Sequence, residues 1–321
     1  MARVFVTGGS GFIGTNLIES FLQDKWEVKN FDSVPPRNPE HNGLFQEGDI
    51  RNAADLTAAV LDYRPELVVH LAARTDLDGG SLADYDANIT GVQNLIDAIR
   101  AAGTTTRAIF ASSRYVHRTE LCPERDDDYS PFTLYGESKV ETEKIVHSAG
   151  LEIPWALIRP TSIWGPWFRI PYRMFFDTLQ RGLYVHPRGR KVSKSYGYVG
   201  NVVHQIRRFL TVDADRMNRR TFYVSDDRTM DVLEFAQLIQ QAFGAPPVRE
   251  VPMVILQTLA HTGDLLKKLG VSNPLLTSFR LHNLLTPMDY DMSATVAVAG
   301  PAPYTLKEGV QITVDWIRQH G

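Results

Sequence analysis

The chain has 321 residues, 43% of them hydrophobic and 22% charged, with a formal net charge of −3. That composition belongs to an ordinary globular protein long enough for one large or two modest domains, and it gives no reason to expect nucleic acid or a membrane as a partner. With one cysteine, Cys122, no internal disulfide can form, and no stretch approaches the roughly 20 apolar residues of a membrane span, so a reducing, cytoplasmic setting is expected.

In chain order, the apolar run Val4-Phe5-Val6 predicts a buried strand, and Thr7-Gly8-Gly9-Ser10-Gly11-Phe12-Ile13-Gly14 follows it directly. Three glycines spaced three apart have separate uses at a strand-to-helix turn. Gly8 permits a tight turn, Gly11 lets a pyrophosphate approach the backbone, and Gly14 lets the helix pack closely. The N–H groups that open the next helix, around Phe12 and Ile13, would face the phosphates. An ordinary glycine-rich turn is the alternative, and the surrounding pattern decides between the two. Residues 16–23 read as an amphipathic helix with Leu17, Ile18, Phe21 and Leu22 inward. Residues 26–31 read as a second strand ending at Asp32. An acid about 20 positions beyond such a turn is placed to bind both ribose hydroxyls of an adenosine. It would repel a 2′-phosphate and so favours NAD over NADP; Arg37 is the nearby residue that argues the other way.

Residues 60–64 end a helix, and 67–73 form a continuous apolar strand of the kind a sheet covered on both faces requires. Another amphipathic helix covers 88–102 and another strand 108–113. Strand and helix alternate through the first 160 residues or so, which predicts βαβ units and a doubly wound parallel sheet. Residues 123–131, with Asp126-Asp127-Asp128, read as a solvated acidic connection, and His117 ahead of them as an ordinary loop histidine. A helix begins near Thr133 and carries Tyr135 and Lys139, four apart and therefore on one face. An ammonium beside a phenol favours the phenolate, which is the form in which a tyrosine acts as a base.

Beyond Gly165-Pro166 the alternation stops, as expected where a smaller substrate-binding part begins, and residues 194 to about 211 are expected to return to the sheet. The predicted division is a Rossmann-type α/β domain over 1–166 with 194–220, and a smaller C-terminal α/β domain over 167–193 with 221–321. From Arg169 to Lys194 seven basic residues stand against one acid, Asp177. Arg190 and Lys194 aimed at a substrate diphosphate would explain that cluster, and a solvated basic face is the alternative. Trp164, Trp167, Phe168 and Tyr172 are candidates either for stacking on a base or sugar or for the core. The histidines and the cysteine show no metal-ligand spacing, and no hydrolase nucleophile elbow is present.

Taken together, the glycine turn, Asp32, Gly48-Asp49-Ile50-Arg51, His70-Leu71-Ala72-Ala73, Asn88, Ser112-Ser113, the Tyr135/Lys139 pair and Arg159-Pro160-Thr161 resemble the extended short-chain dehydrogenase/reductase family, also called the NAD-dependent epimerase/dehydratase family. Asp291-Met292-Ser293-Ala294 and Leu306-Lys307-Glu308-Gly309 resemble its closing pattern, so the resemblance spans nearly the whole chain. It implies a Rossmann-type doubly wound sheet and NAD as cofactor. By position it implies that Asp49 and Ile50 flank the adenine, that Leu71, Ala72 and Ala73 line the path of the cofactor's centre, and that Pro160 and Thr161 border the nicotinamide. Ser113 would bond the reacting oxygen, Tyr135 would be the acid/base, and Lys139 would hold the nicotinamide ribose while lowering the tyrosine pKa. Arg74, Ser112, Ser162, Arg190 and Lys194 join Ser113 as candidate substrate contacts; Asn88 is expected to be structural.

Departures from the family pattern also inform the reading. Family dehydratases carry an Asp-Glu pair just after the position of Ser113, where this chain has Arg114 and Tyr115, and that disfavours elimination. Ser162 and Asn201 stand where the family usually has Asn and Asp. The resulting expectation is an NAD-dependent sugar-nucleotide epimerase working at C4 by transient oxidation of a nucleotide diphosphate sugar. Residues 251–290 also resemble the steroid-dehydrogenase-like branch. The alternative is therefore an NAD(P)-dependent reductase or dehydrogenase of a keto-sugar or steroid-like carbonyl substrate. A homodimer through the helices at 88–102 and 135–149 is implied by the resemblance alone.

Overall fold

The computed structural model describes residues 2–118, 125–169, 172–271 and 274–320. Cys122 and the start of the acidic loop lie outside the described residues. Seven strands form one sheet: β1 (Arg3–Thr7), β2 (Glu27–Asp32), β3 (Phe45–Glu47), β4 (Leu67–His70), β5 (Arg107–Ala111), β6 (Trp155–Pro160) and β7 (Arg220–Val224). Their order is β7-β6-β5-β4-β1-β2-β3, and every pairing is parallel. The order reverses between β1 and β4, which opens a crevice at their carboxyl ends where an α/β sheet binds its ligands.

The helices in chain order are α1 (Phe12–Gln23), α2 (Ala53–Tyr63), α3 (Asp86–Ala102), α4 (Leu134–Ser148), α5 (Tyr172–Gln180), α6 (Val199–Thr211), α7 (Val232–Phe243), α8 (Met253–Lys268), α9 (Ser278–Leu285), α10 (Ser293–Ala299) and α11 (Leu306–His320). The unbroken apolar runs of β1, β4 and β5 follow from burial on both faces. Leu56 and Val60 of α2, Val92, Leu95 and Ile96 of α3 and Val146 of α4 pack with Phe5, Val68, Phe110 and Leu157 of the strands into one core. Local chemistry sets the helix ends. Asn52 caps α2 by accepting from Asp55 N, Thr133 caps α4 by accepting from Gly136 N, and α3 stops at Gly103 in the left-handed region.

The chain divides into two compact units. The first comprises Met1–Phe168, Gly197–Asp227 and Tyr290–Tyr304, and the second Arg169–Tyr196, Arg228–Asp289 and Thr305–Gly321. The part that rejoins the sheet is thus longer than 194–220: it contains all of β7, and it is joined by 290–304. Thr295 Oγ1 donates to Tyr223 O at 2.6 Å and the Tyr223 and Tyr290 rings stack at 4.6 Å, contacts that local periodicity does not announce. Lys194 belongs to the second unit. That unit holds α5, α7, α8, α9 and α11, a parallel pairing of Val185–Pro187 with Arg249–Val251, and an antiparallel pairing of Ser193–Lys194 with Met230–Asp231. Among the described residues no helix is long and apolar enough to cross a membrane.

Candidate active site

At the end of β1, Gly8 has φ +75, and a Cβ there would lie 2.4 Å from Ala72 N. The turn and the chain leaving β4 therefore touch at backbone distance, which is why β4 ends at His70 and does not run on to Ala73. A Cβ on Gly14 would lie 2.3 Å from Gly8 O, so α1 rests directly on the turn. At Gly11 only Gly8 O, at 3.1 Å, falls within 4 Å of a Cβ, and the turn is open there. Gly11 caps α1 with no side-chain hydrogen bond. The opening N–H groups of a twelve-residue helix are thus not taken by a capping side chain, and they suit an anion. The structure adds a fourth requirement that glycine spacing did not reveal. A Cβ on Gly9 would lie 2.3 Å from Oδ1 of the buried Asn30, whose Nδ2 donates to Ser10 Oγ at 3.0 Å.

Asp32, the last residue of β2, is fastened to that turn: its Oδ2 accepts from Ser10 N at 3.0 Å and its Oδ1 from Val34 N at 3.3 Å. Burial raises its carboxyl above the usual range, and these hydrogen bonds act in the opposite direction. Arg37 donates to Trp167 O, so the cation that argued for a 2′-phosphate is engaged by a main-chain oxygen. Asp49 forms a close pair with Arg51, Nη2 to Oδ2 at 2.5 Å, and the bond to Arg51 holds its carboxyl below the usual range. Ile50 is buried against Gly91, where a Cβ would meet its Cδ1 at 2.4 Å. The N–H groups of the open helix start, the carboxylate acceptor of Asp32 and the glycine cradle are the donors, acceptor and space that NAD needs.

The carboxyl end of β5 brings the candidate catalytic residues together. Ser113 follows it, buried, and its Oγ accepts from Tyr115 N at 3.2 Å. Tyr135 lies buried in the first turn of α4 between the rings of Tyr85, at 6.2 Å, and Tyr115, at 5.7 Å edge-on. A Cβ on Gly136 would lie 2.4 Å from Tyr115 O, so the start of α4 presses on the segment that follows Ser113. One turn on, Lys139 Nζ donates to Ala111 O at 2.9 Å. Burial pushes Lys139 down to about 8, with Glu143 opposing. Burial first, and the Lys139 charge second, push His70 down to about 3, so His70 is neutral and its Nδ1 meets Thr7 Oγ1 at 2.7 Å. Near neutral pH the ammonium is therefore the charged member of this buried set. Pro160 ends β6; Thr161 N donates to Val224 O at 3.2 Å and its Oγ1 to Ser225 Oγ at 3.0 Å.

The other candidates have assignments of their own. Ser112 Oγ donates to Glu143 Oε1 at 2.5 Å inside the core, so its hydroxyl serves a buried carboxylate and not a substrate. Arg74 forms a fork with Asp76 at 2.9 and 3.0 Å and covers the Tyr85 ring at 5.1 Å, which is an intramolecular commitment. Asn88 is structural: it bonds Arg74 N and O and Ser138 Oγ at 2.8 to 3.0 Å. Trp164 and Phe168 are buried, while Tyr172 is exposed. Ser162 opens the short strand Ser162–Trp164 beyond Thr161.

The acidic loop is more than a solvated connection. Tyr129 OH donates to Glu143 Oε2 at 3.0 Å, Arg159 Nη2 donates to Asp126 O at 2.6 Å, and Asp128 O meets the buried His117 ring at 3.0 Å. In the second unit, Arg190 is exposed and its carbonyl bonds His186 Nε2 at 3.1 Å. Lys194 is buried; its ammonium donates to Asn283 O at 2.6 Å and Thr286 O at 2.5 Å, where it closes the carboxyl end of α9. The basic cluster therefore does not converge as a set: Arg173 pairs with Asp177 at 3.2 Å, and Lys194 caps a helix.

A glycine turn at the reversal of a parallel sheet, an acid at the end of β2 and a buried Tyr-Lys pair beside Ser113 define a dinucleotide-dependent enzyme of alcohols and carbonyls. The comparisons with known proteins agree. The NAD dependent epimerase/dehydratase family model matches residues 4–221, and the chain belongs to that family. Over 304 residues it is 29% identical to a 3-beta-hydroxysteroid dehydrogenase of Mycolicibacterium neoaurum, covering 88% of this chain and 82% of that protein. Over 322 residues it is 28% identical to the N-acetyl-alpha-D-glucosaminyl-diphospho-ditrans,octacis-undecaprenol 4-epimerase of Escherichia coli O157:H7, covering 98% and 95%. Among solved structures, the UDP-glucose 4-epimerase of Thermotoga maritima with UDP-glucose shares the fold at a TM-score of 0.75 and 21% identity, covering 99% of each chain. The chain is an enzyme of this NAD-dependent family, and its relatives include sugar-nucleotide epimerases and steroid dehydrogenases.

Proposed function

We propose that the enzyme epimerises a nucleotide diphosphate sugar, at C4, by transient oxidation to the keto sugar and re-reduction. The observation that carries this reading is the double attachment of α4 to the end of β5. Lys139 bonds Ala111 O, the helix start presses on Tyr115, and Ser113 lies between those contacts. The turn at Gly8, Gly11 and Gly14, the first N–H groups of α1 and Asp32 would hold NAD, with Leu71, Ala72, Ala73, Pro160 and Thr161 along its course. When bound, NAD supplies a reversible hydride acceptor for the carbon that bears the hydroxyl. Ser113 orients the reacting oxygen, Tyr135 takes its proton and later returns it, and the Lys139 ammonium favours the phenolate that does so. The resemblance to 4-epimerases supports the choice of carbon.

The test is to incubate the purified enzyme with UDP-glucose and UDP-N-acetylglucosamine, without added cofactor, and to follow both epimers by NMR. Tyr135→Phe is expected to lower turnover by about 10³-fold while leaving NAD retention unchanged. Full activity in that variant would overturn the mechanism. One observation favours a second reading, oxidation of a steroid-like secondary alcohol: Lys194, expected to meet a diphosphate, closes a helix instead. That reading predicts stoichiometric NADH from a 3β-hydroxysteroid, and only when NAD is added.

A further inference from the structure

Helix α8 of the second unit is apolar on the side that faces away from its own core. Its buried positions are Leu256, Ala260 and Gly263. They pack toward Leu276 and Leu281, and a Cβ on Gly263 would lie 1.7 Å from Leu276 O. At about 100° per residue, Val254, Ile255, Leu259, Leu265, Leu266 and the capping residue Leu269 fall within an arc of about 140° on the opposite side. All six are exposed, Leu269 and Val254 to 73% and 69%. A single exposed leucine is ordinary, but six large apolar side chains on one arc of one helix need a covering.

Two further features say what covers them. Thr258 and Thr262 share the arc, and their hydroxyls donate at 2.9 Å to Val254 O and Thr258 O of the same helix, leaving only methyl groups outward. The arc therefore contains no charge and no polar group that requires water. Charge stands at the end of the helix instead. Lys267 and Lys268 close it, both exposed, Lys268 beside the arc and Lys267 on the core-facing side of the last turn, and the helix's acid, Asp264, is turned to Ser278 N at 3.1 Å. The second unit carries 14 Lys and Arg against 8 Asp and Glu, where the first carries 20 against 29. A second copy of the chain on this face would bring the positively charged unit against itself. An anionic lipid surface offers hydrocarbon to the arc and phosphates to Lys268 and the positively charged unit that carries it.

We propose that α8 docks the enzyme onto an anionic lipid surface, with its apolar arc in the interface and Lys268 at the headgroups. The average charge of the whole chain argued against a membrane partner because the two units nearly cancel. The proposal does not depend on the reaction catalysed, and its test needs no substrate. The full chain is sedimented with vesicles of phosphatidylcholine alone and of phosphatidylcholine with 30 mol% phosphatidylglycerol, a composition of about that size being enough to give a negative surface. Partition onto the anionic vesicles is expected to be at least tenfold stronger. Leu259→Gln, Leu266→Gln and Leu269→Gln together should lower it at least tenfold with an unchanged melting curve, since these side chains support no core. Lys268→Glu should lower the preference for phosphatidylglycerol about fivefold or more. Equal sedimentation of the wild type with and without vesicles would overturn the proposal. So would a dimer in sedimentation velocity that the triple variant abolishes without any vesicle binding.

Discussion

Behind Ser113, buried Ser112 and Arg159 and half-buried Tyr129 share one carboxylate. Glu143 Oε1 accepts from Ser112 Oγ at 2.5 Å and Arg159 Nε at 2.8 Å; its Oε2 accepts from Arg159 Nη2 at 2.6 Å and Tyr129 OH at 3.0 Å. Burial acts to push Arg159 down, and the Glu143 hydrogen bond and charge outweigh it, so the guanidinium is held above its ordinary range. Removing one member of a buried ion pair typically costs about 3–5 kcal/mol, because the other is left unpaired. In the proposed reaction the same carboxylate would act at a distance, since its charge opposes the burial that pushes Lys139 down to about 8. Where the reaction needs the ammonium, turnover should fall as pH rises through about 8. Glu143→Gln keeps the shape and removes the charge, so it should lower Lys139 further and shift that alkaline limb toward lower pH. A kcat profile from pH 6 to 10 reads the shift; an unmoved limb would leave Glu143 with a purely structural part. Tyr135, Lys139 and Glu143 stand four apart, a spacing that could have pointed to this third member, which the sequence reading missed. Its partner Arg159 has no such spacing, because a strand and a loop separate the two in sequence.

Among the elements, the strand-to-helix turn tolerates little change. A Cβ at Gly14 would stand 2.3 Å from Gly8 O and 2.6 Å from Gly9 Cα, backbone atoms that can yield only if α1 moves off the turn. Gly14→Ala should therefore abolish NAD retention while the far edge of the sheet stays folded. Equilibrium dialysis against NAD checks the first part and circular dichroism the second; retained binding would show that α1 can slide. The periodicity gave β1, β2, β4 and β5 to within a few residues, because burial on both faces leaves long apolar runs, and it missed β3, whose three residues are too few to show a period. Where it overran, as at 67–73, the limit came from another segment, the Gly8 turn lying against Ala72 N. The site was legible to the same extent. Glycine spacing and the Tyr135/Lys139 interval are local signals, whereas the aromatic packing of Tyr85 and Tyr115 on Tyr135 arises only from the fold.

For the whole molecule, the first unit is assembled from three separated stretches of chain, and one polar cluster joins the later two. Asn201 Nδ2 donates to Asp226 Oδ1 at 2.6 Å and to Tyr304 O at 3.0 Å, while its Oδ1 accepts from Tyr304 N at 3.0 Å. An aspartate at 201, the usual family residue, would have no proton for the Tyr304 carbonyl and would add a third carboxylate beside Asp226 and Asp227. The departure at 201 thus has a structural reason that no local pattern could supply. Asp226 also accepts from Tyr198 N at 2.9 Å, yet burial dominates, with Asp227 adding repulsion, and its carboxyl is pushed up to about 6. The folded state therefore holds this proton more tightly than the unfolded chain. The stability it contributes is complete below about 3.8 and is lost as pH rises through 6. Asp226→Asn keeps the acceptor oxygen and removes the charge. It should stabilise the protein at pH 7.5 by roughly 1–3 kcal/mol, with the gain shrinking to near zero by pH 4. Chemical denaturation of both proteins across that range measures the difference. A gain that did not change with pH would mean that the carboxylate is compensated at neutrality, and that the union of the three stretches carries no electrostatic penalty.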